Sequence, residues 1–146
     1  MNTNHRDRQF RILRVDDNDE DIYLLRQGLS QSEIDCELTV ISDGAEAISF
    51  ARREGKYARS PVPDLAVVDL NLPKHGGIEI LTAVRQNKDL EKLPVVIITS
   101  SASPREKLQA ASLKVETFIT KPCDLDEFLK IGEVLKTVLL RDSQSL

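Results

Sequence analysis

Short apolar runs and helix-like patterns alternate along the chain from residue 11 to residue 140. Five of the apolar runs have the length and the Val, Ile and Leu content of buried strands. The predicted strands are 11–15, 36–42, 64–70, 93–100 and 116–120. Between them, apolar residues recur at helical spacing, as at Ile22, Leu25 and Leu29. The predicted helices are 21–29, 45–53, 77–86, 103–112 and 125–140.

Strands that alternate with helices predict a parallel sheet that is covered on both faces. We therefore expect an α/β, flavodoxin-like, doubly wound sheet of five strands in the order 2-1-3-4-5, with five helices. The expected domain is 11–140, between a flexible N-terminal segment, 1–10, and a C-terminal tail, 141–146. The polar insert 54–63 contains Gly and Pro and is predicted to be a loop.

Composition and charge exclude several classes of protein. The 146 residues are 40% hydrophobic and carry a net charge of −4, so no basic field attracts nucleic acid or an anionic membrane. The polar N-terminus lacks the apolar core of a signal peptide, and no apolar run approaches the ~20 residues of a membrane helix. Cys36 and Cys123 lie far apart in the sequence, as expected for reduced thiols in a cytoplasmic protein.

Several predicted strands end on polar side chains. The clearest case is "PDLAVVDLNLP", in which an apolar run stops at Asp69. The carboxyl ends of parallel strands meet at one edge of the sheet, where ligands bind. The residues expected at that edge are Asp16, Asp17, Asp69, Thr99 and Lys121.

Clustered carboxylates repel one another, and a hard divalent cation such as Mg²⁺ can compensate them. Asp17, Asp69 and the backbone carbonyl of Asn71 would leave half of its coordination shell open for a phosphoryl group. Asp69 is then a candidate nucleophile, since carboxylates form acyl phosphates. Lys121 and the Thr99 hydroxyl would contact the phosphoryl oxygens.

Four motifs, "RVDDN", "VVDLNLP", "VIITSS" and "FITKP", occur in this order at the ends of the predicted strands. Together they resemble the receiver domain of the response regulators of two-component signalling. The resemblance implies that Asp69 is the phosphoacceptor. The implied ligands of Mg²⁺ or Mn²⁺ are Asp16, Asp17, Asp69 and the backbone carbonyl of Asn71. The implied switch residues are Thr99, Lys121 and Phe118. The resemblance also implies a cis peptide between Lys121 and Pro122.

The insert "RREGKYARSPVPDL", with "DLNLPK" and "ITKPCDLDEF", is similar to the small single-domain regulators that pair with bacterial and cyanobacterial phytochromes. This resemblance implies a phytochrome-type histidine kinase as phosphoryl donor. It also implies a homodimer through the fourth helix, fifth strand and fifth helix. Output would pass through protein contacts, and the only chemistry would be self-directed phosphotransfer and dephosphorylation, without an enzyme's substrate.

Several positions depart from the receiver pattern. Arg14 lies in the first strand where an aliphatic residue is usual. We expect its side chain to snorkel out of the packed face, with Glu37 or a carboxylate at the strand end as the other possible partners. His75, in the loop after the third strand, is expected to be solvated, and the Gly76-Gly77 pair is expected to loosen that loop.

Two alternatives use the same residues differently. A haloacid-dehalogenase-like phosphohydrolase also has a nucleophilic Asp at a strand end, but it needs a second Asp where this chain has Asn71, whose amide cannot shuttle protons. A non-phosphorylated interaction module would use the helix surfaces only. Asp16, Asp17 and Asn18 could also serve simply as caps of the following helix.

Overall fold

A computed structural model describes the backbone of residues 9–144 and the side chains of residues 9–141. Five strands form one sheet in the order β2-β1-β3-β4-β5, and all neighbouring pairs are parallel. The strands are β1 (Phe10–Val15), β2 (Cys36–Ile41), β3 (Leu65–Val68), β4 (Val95–Thr99) and β5 (Thr117–Thr120). This confirms the predicted strand order.

The helices lie where the apolar periodicity predicts them. They are α1 (Asp19–Gln31), α2 (Gly44–Ala51), α3 (Gly77–Gln86), α4 (Pro104–Ser112), α5 (Leu125–Leu129) and α6 (Ile131–Gln144). The fifth predicted helix is thus present as two consecutive segments, α5 and α6, separated by Lys130. It extends to Gln144, past the predicted end at residue 140.

The sheet is buried on both faces because successive side chains of each strand point to opposite sides. In β4, Val95 and Ile97 join the core beneath α2 and α3, whereas Val96 and Ile98 join the core beneath α1, α5 and α6. All four side chains are fully buried. This two-sided burial explains why the sequence shows continuous apolar runs.

Side-chain caps fix where the helices begin. Asn18 caps α1 by accepting a hydrogen bond from the amide of Asp21, and Ser103 and Glu106 form a reciprocal capping box on α4. The loop "SDG" contains Asp43, which caps α2. Each cap lies within a few residues of the end of a strand, so the first turns of these helices lie at the carboxyl edge of the sheet. None of the helices in the described part of the chain combines the length and apolarity needed to cross a membrane.

Candidate functional site at the carboxyl edge of the sheet

Asp69 lies at the centre of the carboxyl edge, directly after β3, and its side chain is almost fully buried. One carboxylate oxygen accepts a hydrogen bond from the backbone amide of Asn71 at 2.8 Å. The other lies 2.9 Å from the ammonium of Lys121, which follows β5. The predicted nucleophile and the predicted lysine are therefore in direct contact, although 52 residues separate them in the sequence.

Lys121 has a second carboxylate partner, one that the sequence motifs do not assign. Asp21, in the first turn of α1, lies 2.5 Å from the same ammonium nitrogen. Burial lowers the pKa of Lys121, but the hydrogen bonds to Asp21 and Asp69 outweigh burial and raise that pKa above its ordinary value. Lys121 is therefore cationic at neutral pH. The sequence feature that points to Asp21 is its place in the first turn of a helix that begins at the carboxyl edge of the sheet.

Thr99 is fully buried at the end of β4, and its hydroxyl is tied to the neighbouring loops. It accepts a hydrogen bond from the side-chain amide of Asn71 at 2.6 Å and donates one to the carbonyl of Ser101 at 3.1 Å. The Asn71 amide also donates to that carbonyl at 3.1 Å. Asn71 thus connects the loop after β3 with the loop after β4.

The acidic pair after β1 has two different environments. Asp17 is exposed, whereas Asp16 is fully buried and bound to the guanidinium of Arg14. Burial raises the pKa of the Asp16 carboxyl, against the opposing effects of the Arg14 guanidinium and the Asn18 amide. In the described part of the chain, no group of three or more His, Cys, Asp or Glu side chains is arranged to hold a metal ion.

Two expectations for this region are wrong. Arg14 does not snorkel, because β1 is an interior strand and its side chain, 1% exposed, is enclosed; of the other options, the strand-end carboxylate is its partner. No peptide among the described residues is cis, so the peptide before Pro122 is trans, the form that X–Pro bonds intrinsically favour by about 0.5–1 kcal/mol. At Gly77 a Cβ would lie 2.7 Å from the carbonyl oxygen of Asp69, so glycine permits a close approach of the two backbone segments.

Other predicted residues lie beside the site. Phe118 in β5 is half-buried and packs against the core beneath α2 and α3. His75 lies at the surface, where its Nδ1 is 2.9 Å from a carboxylate oxygen of Glu79. His75, in the loop before α3, therefore pairs with the first turn of that helix, and no hydrogen bond or ion pair joins it to Asp69 among the described residues.

Comparisons with known proteins identify the family. Residues 12–133 match the response regulator receiver domain. The chain belongs to the response-regulator receiver family. It is 36% identical to response regulator Rcp1 of Synechocystis sp. over 129 residues, which cover 88% of each chain.

Solved structures agree in fold and in subfamily. The phosphorylated cyanobacterial phytochrome response regulator RcpA superposes with a TM-score of 0.83 at 33% identity, covering 91% of this chain and 95% of that one. The Mn²⁺-bound form of Rcp1 superposes with a TM-score of 0.81 at 34% identity, covering 94% of this chain and 96% of that one. The bacteriophytochrome response regulator AtBRR gives 0.67 at 31% identity, covering 92% of each chain.

Proposed function

We propose that this protein is a phosphorylation switch that accepts a phosphoryl group from the phosphohistidine of a histidine kinase on Asp69. The observation that carries the proposal is the environment of Asp69: an almost buried carboxylate at a strand end, in contact with Lys121 and with the Asn71 amide. Folding does not require a buried strand to end on a carboxylate. Nor does it require the ends of two other strands to supply a lysine and a threonine at the same edge of the sheet. Together these groups would contact the three oxygens of a phosphoryl group on Asp69.

The donor set at this edge fits a hard divalent cation. Mg²⁺ commonly binds through one or two carboxylates and retains several waters, so it does not need a cage of protein ligands. Asp17, Asp69 and the backbone carbonyl of Asn71 would hold Mg²⁺ or Mn²⁺, whereas Asp16, the fourth predicted ligand, is already paired with Arg14. The cation would neutralise charge on the phosphoryl oxygens. This assignment is supported by the Mn²⁺-bound form of the related Rcp1.

The remaining residues of the site would read the modification. The Thr99 hydroxyl would exchange its hydrogen bond to Ser101 for one to a phosphoryl oxygen, and Lys121 would move its contact from the Asp69 carboxylate to the phosphoryl group. The loop after β4 would shift with Thr99. Phe118, already half-buried beside that loop's strand, has no polar group to desolvate and would turn inward.

We propose a phytochrome-type histidine kinase as the donor, because RcpA and AtBRR, which this chain is similar to, are phytochrome response regulators. A homodimer through α4, β5 and the α5–α6 segment also stays a proposal. It is supported by the edge position of β5 and by Leu108 in α4, whose side chain is 73% exposed. Whether monomeric or dimeric, the protein would signal through contacts with other proteins, in a cytoplasmic setting, rather than through catalysis on a separate substrate.

A phosphohydrolase is not favoured by the geometry. Its general acid would occupy the position of Asn71, whose side-chain amide is bound to Thr99 and to the carbonyl of Ser101. An amide in this position holds loops together and has no proton to transfer at neutral pH.

Phosphoryl transfer can be tested with small donors. The protein is incubated with acetyl phosphate or phosphoramidate in the presence of Mg²⁺, and its intact mass is recorded. We expect a metal-dependent gain of a single phosphoryl group that is absent in Asp69→Asn and retained in the control Asp89→Asn, whose carboxylate is exposed and remote from the site. Absence of any gain with both donors, and with a phosphohistidine kinase, would refute the proposal and favour the non-phosphorylated interaction module.

A further inference from the structure

Arg14 places a permanent positive charge inside the carboxylate edge. Its guanidinium is 1% exposed, and guanidinium groups stay protonated in proteins. The side chain leaves β1 on the same face as Asp16, two residues further along the chain, because strand side chains alternate. One terminal nitrogen contacts a carboxylate oxygen of Asp16, and the other donates to the carbonyl of Val67 at 3.3 Å. The buried Nε has no hydrogen-bond partner, and among the residues that the structure describes it is the Asp16 carboxylate that forms an ion pair with this guanidinium.

Both oxygens of the Asp16 carboxylate already have hydrogen-bond partners within the protein. Oδ2 contacts Arg14, and Oδ1 accepts a hydrogen bond from the amide of Asn18 at 3.0 Å. The whole residue is 0% exposed, whereas its neighbour Asp17 is exposed. Of the two adjacent carboxylates, one is turned inward to a buried cation and the other is open to solvent.

The charges separate into two groups. Arg14 and Asp16 form a buried pair with no net charge, whereas Asp21 and Asp69 both contact the cation Lys121 and Asp17 is exposed to solvent. An ion that enters the site would be attracted by the second group. An extra interaction with Asp16 would require that carboxylate to abandon a buried guanidinium, and an unpaired buried charge is strongly unfavourable.

We propose that Arg14 is a positioning residue that commits Asp16 to an internal ion pair, so that the divalent cation is held by Asp17, Asp69 and the carbonyl of Asn71 alone. The inference rests on the proposed function. If it holds, Arg14 lowers the affinity of this receiver for divalent cations. A purely structural role for Arg14 would affect folding and leave metal affinity unchanged.

The test is a double-mutant cycle read out as the affinity for Mn²⁺, measured from the electron paramagnetic resonance signal of the free ion at about pH 8, where carboxylates with ordinary pKa values are ionised. We expect Arg14→Leu to bind Mn²⁺ about tenfold more tightly, because a nearby positive charge is lost, and Asp16→Asn to bind about tenfold more weakly, because that charge is left uncompensated. The double variant Arg14→Leu/Asp16→Asn should bind Mn²⁺ within about threefold of wild type, because a neutral pair replaces a neutral pair. The control Arg11→Leu removes the same charge from the exposed start of β1 and should leave the affinity within about twofold of wild type, since exposed charges are screened by solvent and salt.

The double variant decides the matter even if a single variant fails to fold, because it leaves no unpaired buried charge. A loss of about tenfold or more in the double variant would mean that Asp16 is a direct ligand, and would overturn the inference. So would an unchanged Mn²⁺ affinity in a folded Arg14→Leu variant. Mn²⁺ binding by wild type with no differences among the variants would overturn this inference alone, whereas no binding in any variant would also overturn the metal site of the proposed function.

Discussion

At the scale of the residue, the carboxylates at the carboxyl edge outnumber the cations that pair with them. Lys121 contacts both Asp21 and Asp69, so its charge is divided between a helix and the nucleophile. Asp21 therefore has two opposing effects on phosphorylation. It keeps Lys121 protonated and in place, and it repels the dianionic phosphoryl donor that must approach Asp69.

We expect Asp21→Asn to react faster with acetyl phosphate at saturating Mg²⁺, by about threefold to tenfold, because the repulsion is removed while Lys121 stays paired with Asp69. The measurement is the initial rate of mass gain. Asp19→Asn, in the same acidic run but with an exposed side chain, is the matched control and should react at the wild-type rate. A slower reaction in Asp21→Asn would show that Asp21 acts mainly by positioning Lys121.

At the scale of the element, two glycines fix how the last helix meets the first. Gly28 in α1 faces Gly132 in the first turn of α6, and a Cβ on Gly132 would clash with the carbonyl oxygen of Gly28. That carbonyl belongs to helix backbone and cannot move aside as a flexible side chain would. The contact lies close to the interruption at Lys130 that separates α5 from α6.

Gly132→Ala is therefore expected to lower the free energy of unfolding by about 1–3 kcal/mol, the usual cost of overpacking a close contact. Urea denaturation monitored by circular dichroism would measure it. Gly76→Ala is a suitable comparison, since a Cβ there meets its nearest atom at 3.5 Å, and should cost less than about 1 kcal/mol. Equal losses in the two variants would argue against a specific contact between α1 and α6.

The insert 54–63 has more structure than its polar composition predicts. It contains a short 3₁₀ turn, Gly55–Tyr57, and the Tyr57 ring packs edge-on against Phe50 with centroids 5.6 Å apart. The Tyr57 hydroxyl donates to a carboxylate oxygen of Glu46 at 2.6 Å, and the Lys56 ammonium lies 2.7 Å from the same oxygen. These hydrogen bonds, that of Lys56 first, hold the pKa of Glu46 below its ordinary value.

A depressed pKa gives a defined pH dependence. The ionised form of Glu46 stabilises the folded protein at pH values above 4.5, its ordinary pKa, and this contribution is lost as the pH falls through the lower pKa of the folded state. We expect wild type to exceed Glu46→Gln in unfolding free energy by about 0.5–1 kcal/mol at neutral pH, with the difference vanishing in acid. Denaturation curves at a series of pH values would test this. Glu91→Gln, at an exposed position, should show no such trend.

At the scale of the whole molecule, local pattern and topology determine how much of the structure could be predicted from sequence. Continuous apolar runs indicated the strands, and their alternation with helices indicated a parallel sheet, which brings the strand ends that carry Asp69 and Lys121 to one edge. The missed contacts each join parts of the chain that no local pattern relates. Asp21 and Lys121 are 100 residues apart, and the glycine contact between α1 and α6 spans a similar distance. Arg14 was misjudged because the path of a long side chain depends on which neighbours enclose it.

Repulsion among the carboxylates at the carboxyl edge lowers the stability of the domain without metal, whereas the same carboxylates would bind the Mg²⁺ that the proposed function needs. Arg14 and Lys121 pair with three carboxylates at this edge, those of Asp16, Asp21 and Asp69, and Asp17, next to Asp16 in the sequence, is exposed. We expect Asp17→Asn to be as stable as wild type or more stable without metal, because repulsion at the edge is relieved, and to lose the stabilisation that Mg²⁺ confers. A tenfold excess of Mg²⁺ over its dissociation constant should stabilise wild type by about 1.4 kcal/mol.

Thermal unfolding with and without Mg²⁺ measures both effects at once, and Asp89→Asn should retain the full gain because its carboxylate is exposed and distant. If Asp17→Asn kept the gain from Mg²⁺, the exposed member of the acidic pair would not be a metal ligand. The buried Asp16 would then have to supply the contact despite its pairing with Arg14. Since that pairing and a direct bond to metal compete for the same carboxylate, the two aspartates cannot exchange roles without a measurable change in the stability of the fold.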